Sequence, residues 1–419
     1  MTKKILLMTD LYYPNPSANG ICLHQVACSL LQKGYEVHVL CFQVGKNKKK
    51  DVFEGINIHR VKPRLFFRIR DKYEKNTESK KNKILYKAIL LIHRIKKIMF
   101  FPLYPLTSPT ANYRYYNEAK KICNYNQINN VLGQYNPIEA AVATLMLKKK
   151  YPSLRTILYV VDSFTANVQA KNNVKIKKAG WNWEKRFYIN LDMIINMKFL
   201  EKHHQAKRYD EFRKKIIYLG IPLVRKIIIK NKDEMKFNKE KINCVYTGTL
   251  DKNMRNPKFV CDILSKRNDN INLHFYSRGN CESMLTEFQN KTNNQIQSHG
   301  KVSAESSLNA MNESDILISI GNRGTEMVPS KIFEYISFGK PIIHFYKDDN
   351  DSSLEYLLKY PLALCIKEDY KNVKNVNKLV SNFIEKNVSK TISFNEIKEL
   401  FSLNTPDFTS ERIDDFLKI

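Results

Sequence analysis

The chain has no CxxC pair and no accompanying histidine cluster, so its eight cysteines (Cys22, Cys28, Cys41, Cys123, Cys244, Cys261, Cys281 and Cys365) indicate neither a zinc motif nor a disulfide framework. Scattered thiols suit a reducing cytosol. Long apolar runs are missing too. The first, at residues 5–8, is closed by Asp10 and is too short for a signal peptide. The greasiest stretch, 88–106, is broken by His93, Arg94, Lys96 and Lys97, short of the about 20 apolar residues a membrane-crossing helix requires. A cytoplasmic, non-spanning protein is expected. No helix-turn-helix, zinc-finger or RNP-type pattern occurs, so nucleic acid is not an expected partner. No repeat of fixed period appears.

Acidic residues are scarce in one half only. Residues 1–240 hold 47 Lys+Arg against 18 Asp+Glu, whereas residues 241–419 hold 23 of each, so the whole surplus of +29 lies in the first part. A field of that sign draws phosphorylated substrates or an anionic membrane face. The same surplus also arises where lysines merely solvate helix faces.

With 419 residues, 43% of them hydrophobic and 26% charged, the chain has material for two cores of about 200 residues each. Residues 4–9 form a short apolar run, 10–20 carry Pro14, Pro16, Asn19 and Gly20, and Leu23, Val26, Ala27, Leu30 and Leu31 recur at helical spacing until Gly34. A β-rich run at 36–42 completes a βαβ unit. Further runs at 56–61, 130–133, 156–161 and 193–196 alternate with helical stretches, which implies a parallel sheet wrapped by helices. A second series follows at 242–247, 271–277, 296–299, 315–320, 341–346 and 362–366. The expected division is a first doubly wound domain at 1–215, a linker at 216–241, a second such domain at 242–392, and C-terminal helices at 393–419 that can pack back across the domains.

Residues 62–105 stand out within the first domain. They carry 13 basic residues against three acidic ones, interleaved with Leu65, Phe66, Phe67, Ile69, Phe100 and Phe101. A basic amphipathic segment of this kind lies on anionic lipid or forms a solvated helical hairpin.

Chemistry concentrates at 315–346. A buried strand at 315–320 leads into the loop Gly321-Asn-Arg-Gly-Thr-Glu-Met-Val328, then a helix from Pro329 to Phe338, closed by Gly339 and Pro341. Ligands of open α/β sheets collect at the carboxyl ends of strands, where this loop falls. Glu326 sits in the loop and Glu334 on the helix, with Ser330 and Lys331 at the helix start, where free N–H groups favour phosphate. The acidic run Asp348-Asp349-Asn350-Asp351 reads as a turn, with metal binding as the lesser alternative, and His203-His204 as solvated surface.

The spacing Glu326, Pro329, Glu334, followed by Phe338-Gly339-Lys340-Pro341-Ile342-Ile343, resembles the donor-site signature of the retaining GT-B glycosyltransferases of family four. That resemblance implies two Rossmann-like domains facing a cleft. It also implies a nucleotide-sugar donor, with Glu326 on its sugar and Glu334 on its ribose hydroxyls. Tyr13-Pro14 through Asn19-Gly20-Ile21 looks like the family's opening loop beside the donor diphosphate, with Asn19 where a second glycine is usual. Ile217 to Pro222 resembles the start of the second domain. Tyr246-Thr247-Gly248-Thr249-Leu250 resembles a loop that normally carries an Arg after the glycine and a Lys six residues further. Here Thr249 and Arg255 stand at those positions, and Lys252, Arg278 or Lys331 can supply the second cation. The His that many relatives place in the first domain has no counterpart near Gly133-Gln134-Tyr135-Asn136.

Expected catalytic groups are therefore Glu326, Arg255 and Lys331, with Asn19, Gly20, Gly248, Lys252, Pro329, Ser330 and Glu334 lining the substrate. No metal or cofactor is expected. The implied activity is metal-independent hexosyl transfer with retention, to a lipid-linked or saccharide acceptor of bacterial surface polysaccharide synthesis, at the inner membrane face. A sugar-nucleotide epimerase on the same fold and a catalytically degenerate partner subunit are the alternatives.

Overall fold

The computed structural model describes residues 3–74, 80–99, 105, 106, 108–161, 163, 165, 174–229, 237–265, 270–323 and 328–418. The chain divides into two compact units, residues 1–222 with 406–419 and residues 223–405.

The first unit is built on β1 (Lys3–Met8), β2 (Tyr35–Phe42), β3 (Lys50–Phe53), β4 (Ile56–Val61), β5 (Asn130–Gln134), β6 (Arg155–Val160), β7 (Met193–Met197) and β8 (Ile216–Leu219). They form one sheet in the order β3-β4-β2-β1-β5-β6-β7-β8, parallel except for the edge strand β3. β1 lies at its centre, and Ile5, Leu6, Leu7 and Met8 are fully buried, as a strand covered by helices on both faces must be. The run at 216–219, assigned above to the linker, is the last strand of this sheet: it pairs with β7 from Ile194↔Ile216 to Met197↔Leu219.

Local signals account for the first crossover. Ser17 caps helix Ala18–Gln32 by accepting the Gly20 N–H at 3.0 Å, and Gly34, with φ +81°, ends the turn that follows. Gly20 also lets the helix approach the preceding loop, because a Cβ there would lie 2.0 Å from the Leu11 carbonyl oxygen. The helix Pro406–Lys418 belongs to this unit and lies on Ala18–Gln32. Its Asp414 accepts from the Tyr35 hydroxyl (2.8 Å) and the Lys3 ammonium (3.0 Å).

The basic insert forms two helices, Leu65–Glu74 and Lys80–Met99, packed on each other. Arg64, just ahead of them, makes a bidentate pair with the buried Glu139 carboxylate at 2.5 and 2.8 Å, which anchors the insert to helix Ile138–Lys150. Among the described residues no helix is long and apolar enough to cross a membrane.

The second unit carries β9 (Ile242–Leu250), β10 (Ile271–Gly279), β11 (Ile296–Ser298), β12 (Ile316–Ile320), β13 (Ile342–Tyr346) and β14 (Ala363–Lys367). All are parallel, in the order β11-β10-β9-β12-β13-β14. Every strand matches an apolar run read from the sequence. Cys244, Phe275, Ile318, Ile343 and Ile366 pack in one core with Val376, Val380 and Ile384 of helix Val373–Asn387.

Candidate functional site

In a doubly wound sheet, ligands gather beyond the carboxyl ends of the strands where the strand order reverses. In the second unit that reversal lies between β9 and β12. Beyond β9 the chain closes a small loop: Asp251 N–H donates to the Arg255 carbonyl at 3.0 Å and Arg255 N–H to the Asp251 carbonyl at 2.8 Å. The Asp251 carboxylate accepts the N–H groups of Asn253 (2.9 Å) and Met254 (3.0 Å) and the Asn280 amide (2.9 Å). Those bonds, the Asn253 N–H foremost, hold the Asp251 carboxyl below its usual pKa.

This loop aims Arg255. Its Nη1 donates to the Thr249 carbonyl at 3.0 Å, while Nε and Nη2 donate to Asn322 Oδ1, just after β12, at 3.1 and 2.6 Å. Arg278, near the end of β10, donates from Nε to the Thr249 hydroxyl at 3.0 Å. Two guanidinium groups thus converge on the residue that stands where the resembling family carries an arginine. Arg278 must run next to this loop because Gly279 follows it: with φ +130° there, a Cβ would lie 1.8 Å from the Leu250 carbonyl oxygen. Gly248 (φ +144°) lies at the same strand end, and Lys252 is exposed in the loop, its N–H bonded to Asn280 Oδ1 at 2.8 Å.

The helix after β12 is tied to the same strand end. Within Lys331–Ser337 the buried Tyr335 hydroxyl accepts the Thr247 N–H at 2.8 Å and donates to the Thr247 carbonyl at 3.2 Å. Burial pushes this phenol far above its usual pKa, which keeps it a neutral donor. Lys331 forms an ion pair with Glu334 one turn on, so its charge is shared with the carboxylate beside it. Ser330 precedes the helix without a side-chain cap bond, and Pro329 is half-buried. Glu326 lies outside the described residues. Asn322 escaped the sequence reading as a partner of Arg255; its place in the glycine-flanked loop after a buried strand was the available signal. Tyr335 escaped it too, because a helical tyrosine gives no sign of which backbone it will meet.

The first sheet reverses between β1 and β5. There Thr9 Oγ1 donates to Gln134 Oε1 at 2.5 Å, Gln134 Nε2 to the Asn19 carbonyl at 3.2 Å, and Ser17 Oγ to Asp10 Oδ1 at 2.5 Å. Asn19 and Gly20 therefore serve the start of helix Ala18–Gln32, and the Gly20 N–H is taken by Ser17.

One sequence expectation is corrected. His203 and His204 are not solvated surface: His203 is half-buried, its Nε2 2.8 Å from Thr165 Oγ1, and His204 is buried against Tyr209, with burial pulling its pKa down to about 3. The 348–351 run is the expected turn, closed by the Asp351 N–H donating to the Asp348 carbonyl at 3.0 Å. Asp351 is buried beside His344 and accepts the Ser353 N–H at 2.7 Å, while Asp349 pairs with Lys367 at 2.6 Å. Near His203, the buried Glu184 carboxylate accepts from Ser163, from Thr165 Oγ1 at 2.6 Å and from the Tyr209 hydroxyl at 3.1 Å.

No family model matches the chain, and no curated protein matches it. Solved structures do. Anabaena HepE in complex with UDP and glucose is similar with a TM-score of 0.56 at 11% identity, over 99% of each chain. A Listeria monocytogenes protein assigned as a UDP-N-acetylglucosamine 2-epimerase is similar at 0.56 and 12% identity, over 100% of this chain and 96% of the other. The lipopolysaccharide outer core galactosyltransferase WaaB in its apo form is similar at 0.54 and 11% identity, over 99% of each. The chain has the GT-B fold of two largely parallel α/β units. Its structural neighbours include glycosyltransferases and a sugar-nucleotide epimerase on that same fold.

Proposed function

We propose that the chain is a glycosyltransferase whose second unit binds a nucleoside-diphosphate sugar beyond the ends of β9 and β12. One observation carries this reading: Arg255 and Arg278 are both held on Thr249 at the strand-order reversal, with Asn322 fixing Arg255. Breaking the bond between sugar and diphosphate puts negative charge on the departing phosphate. Cations already fixed in place stabilise that charge without reorganising during the reaction, and a single such donor contributes about 10²–10³ in rate. Arg255 and Lys331 serve the diphosphate, with Ser330, Pro329, Gly248 and Lys252 around it. Glu334 takes the ribose hydroxyls and Glu326 the transferred sugar. HepE was solved with UDP, which makes a UDP-sugar the first donor to test.

Transfer proceeds with retention and without a metal in this reading, the leaving phosphate accepting the acceptor hydroxyl's proton on the same face of the sugar. The first unit takes the acceptor. Its positive surplus, together with the exposed Leu65, Ile84, Leu91, Ile92 and Met99 of the insert helices, suits a lipid-linked saccharide at an anionic membrane face.

Thermal shift with UDP, GDP, ADP and their sugars tests the donor site, since a ligand that binds only the folded state raises its melting point. Stabilisation by at least one nucleotide in wild type and none in Arg255→Ala is expected; no shift with any nucleotide overturns the reading. Analysis of products by NMR then decides the chemistry. An unchanged anomeric configuration on an acceptor supports retention, and conversion of the donor sugar with no acceptor present marks an epimerase. Sedimentation with anionic vesicles tests the membrane step, and equal recovery in the supernatant with and without vesicles at low salt rejects it.

A further inference from the structure

The first unit brings together three side chains that no part of the proposed transfer uses. His24 and Cys28 stand four apart on helix Ala18–Gln32, so they share one face of it. Glu54 reaches that face from the two-residue turn Glu54-Gly55 that joins β3 to β4, with both residues left-handed at φ +48° and +79°. A glutamate is an unusual occupant of that turn position, where glycine and asparagine are favoured. His24 Nε2 lies 3.1 Å from Glu54 Oε2 and 3.5 Å from Cys28 Sγ, and the three ligand atoms all lie within 4.8 Å of one another. Bond lengths of about 2.0–2.3 Å around a tetrahedral Zn²⁺ place its ligand atoms about 3.3–3.6 Å apart. The imidazole nitrogen thus already sits about one tetrahedral edge from each of its partners.

The surroundings suit a metal ligand. His24 is 3% exposed, and its other ring nitrogen, Nδ1, lies 2.7 Å from the Tyr12 hydroxyl oxygen. Such a contact fixes the ring and leaves Nε2 its lone pair when Nδ1 carries the proton, as the outer partners of metal-bound imidazoles do. Tyr13 packs on His24 at 4.4 Å and stacks on Phe53 at 4.4 Å, which braces the ring and the hairpin from the same side. Among the described residues this is the one His/Cys/acid group with ligand atoms so close.

We propose that His24, Cys28 and Glu54 form a binding site for a thiophilic divalent cation of the Zn²⁺ class, with water at the fourth position, that clips helix Ala18–Gln32 to the β3–β4 hairpin. On binding, the Cys28 thiol releases its proton to solvent and its sulfur lone pair forms the bond to the metal, so affinity rises with pH. Thiolate with imidazole selects Zn²⁺ or Co²⁺ over Mg²⁺ or Ca²⁺.

Co²⁺ is the probe, added to the metal-stripped full chain. Wild type is expected to develop the near-ultraviolet thiolate-to-cobalt band, which Zn²⁺ abolishes by displacement. Cys28→Ser removes the band and Glu54→Gln weakens Co²⁺ binding at least about tenfold. Cys365→Ser, which alters the other cysteine that is not fully buried, leaves the band unchanged. Circular dichroism of each variant confirms the fold, and X-ray absorption of the Zn²⁺-loaded wild type reports one sulfur neighbour. A missing band in wild type, a band that survives Cys28→Ser, affinity indifferent to Glu54, or more than one sulfur on zinc each overturns the site. Nucleotide binding plays no part in any of these readouts.

Discussion

Where the first sheet reverses its order, between β1 and β5, Thr9, Asp10, Ser17 and Gln134 bond one another; where the second reverses, between β9 and β12, Arg255 bonds Asn322 and Thr249, and Arg278 bonds Thr249. The charge totals point the other way. Residues 1–240 carry the entire +29 and residues 241–419 are neutral, yet these bonded residues are uncharged or acidic in the first sheet and arginine-bearing in the second. Net charge shapes the long-range field and says little about a site, which depends on a few cations being fixed at a strand end. The two sheets also share a feature. Each stacks a histidine pair near one edge, His38 of β2 with His59 of β4 (Nδ1 to Nε2 3.0 Å) and His274 of β10 with His299 just past β11 (3.1 Å). Both units rest on parallel doubly wound sheets, eight strands with one antiparallel edge in the first and six in the second, and the contrast lies in the loops beyond the strands.

The sharpest way to break that contrast is Arg255→Ala. Turnover should fall about 10²–10³-fold with the fold intact, as read by activity and by circular dichroism. The Asp10→Asn change at the other reversal should leave nucleotide affinity unmoved. Gly279→Ala comes next: a left-handed strain of about 1–2 kcal/mol adds to a backbone clash, so urea denaturation should show a large loss of stability in the second unit. Tyr335→Phe leaves the buried Thr247 N–H without its acceptor and should cost about 1–3 kcal/mol in the same measurement.

The smallest effect tests what the units share. Burial holds His59 and His274 neutral, with pKa values pulled down to about 4. The unfolded chain, whose histidines titrate near about 6.5, takes up protons first as pH falls. Stability should therefore decline from about pH 6.5 towards about pH 4, and His59→Gln and His274→Gln should each flatten part of that slope in melting curves.

Much of the scaffold was legible because a strand covered on both faces must be apolar, and runs such as 5–8 and 316–320 meet that demand without help from distant residues. The end of the first sheet was not. Residues 216–219 read as part of a linker, because nothing in a short apolar run beside Gly220 and Pro222 says that it will pair with β7. His204 was misread because its neighbours in sequence are polar while its neighbours in space are Tyr188, Tyr209 and Tyr218. At the candidate site, Arg255 could be placed by its spacing from Gly248. Its grip on Asn322, 67 residues away, could not. The pair His24 and Cys28 is visible as a helical i, i+4 spacing, but Glu54 joins it only through the hairpin.

What the amino-acid order determined by itself is periodicity: which segments bury both faces, which wrap them, and where glycine, proline and serine start and stop them, since these follow from local sterics and from hydrophobic pattern. Only the tertiary structure decided which strand ends meet, and with them the seating of two arginines on Thr249 and the gathering of an imidazole, a thiol and a carboxylate beside Tyr12. Such contacts join residues tens of positions apart, and their geometry depends on sheet order and register, which no local stretch encodes.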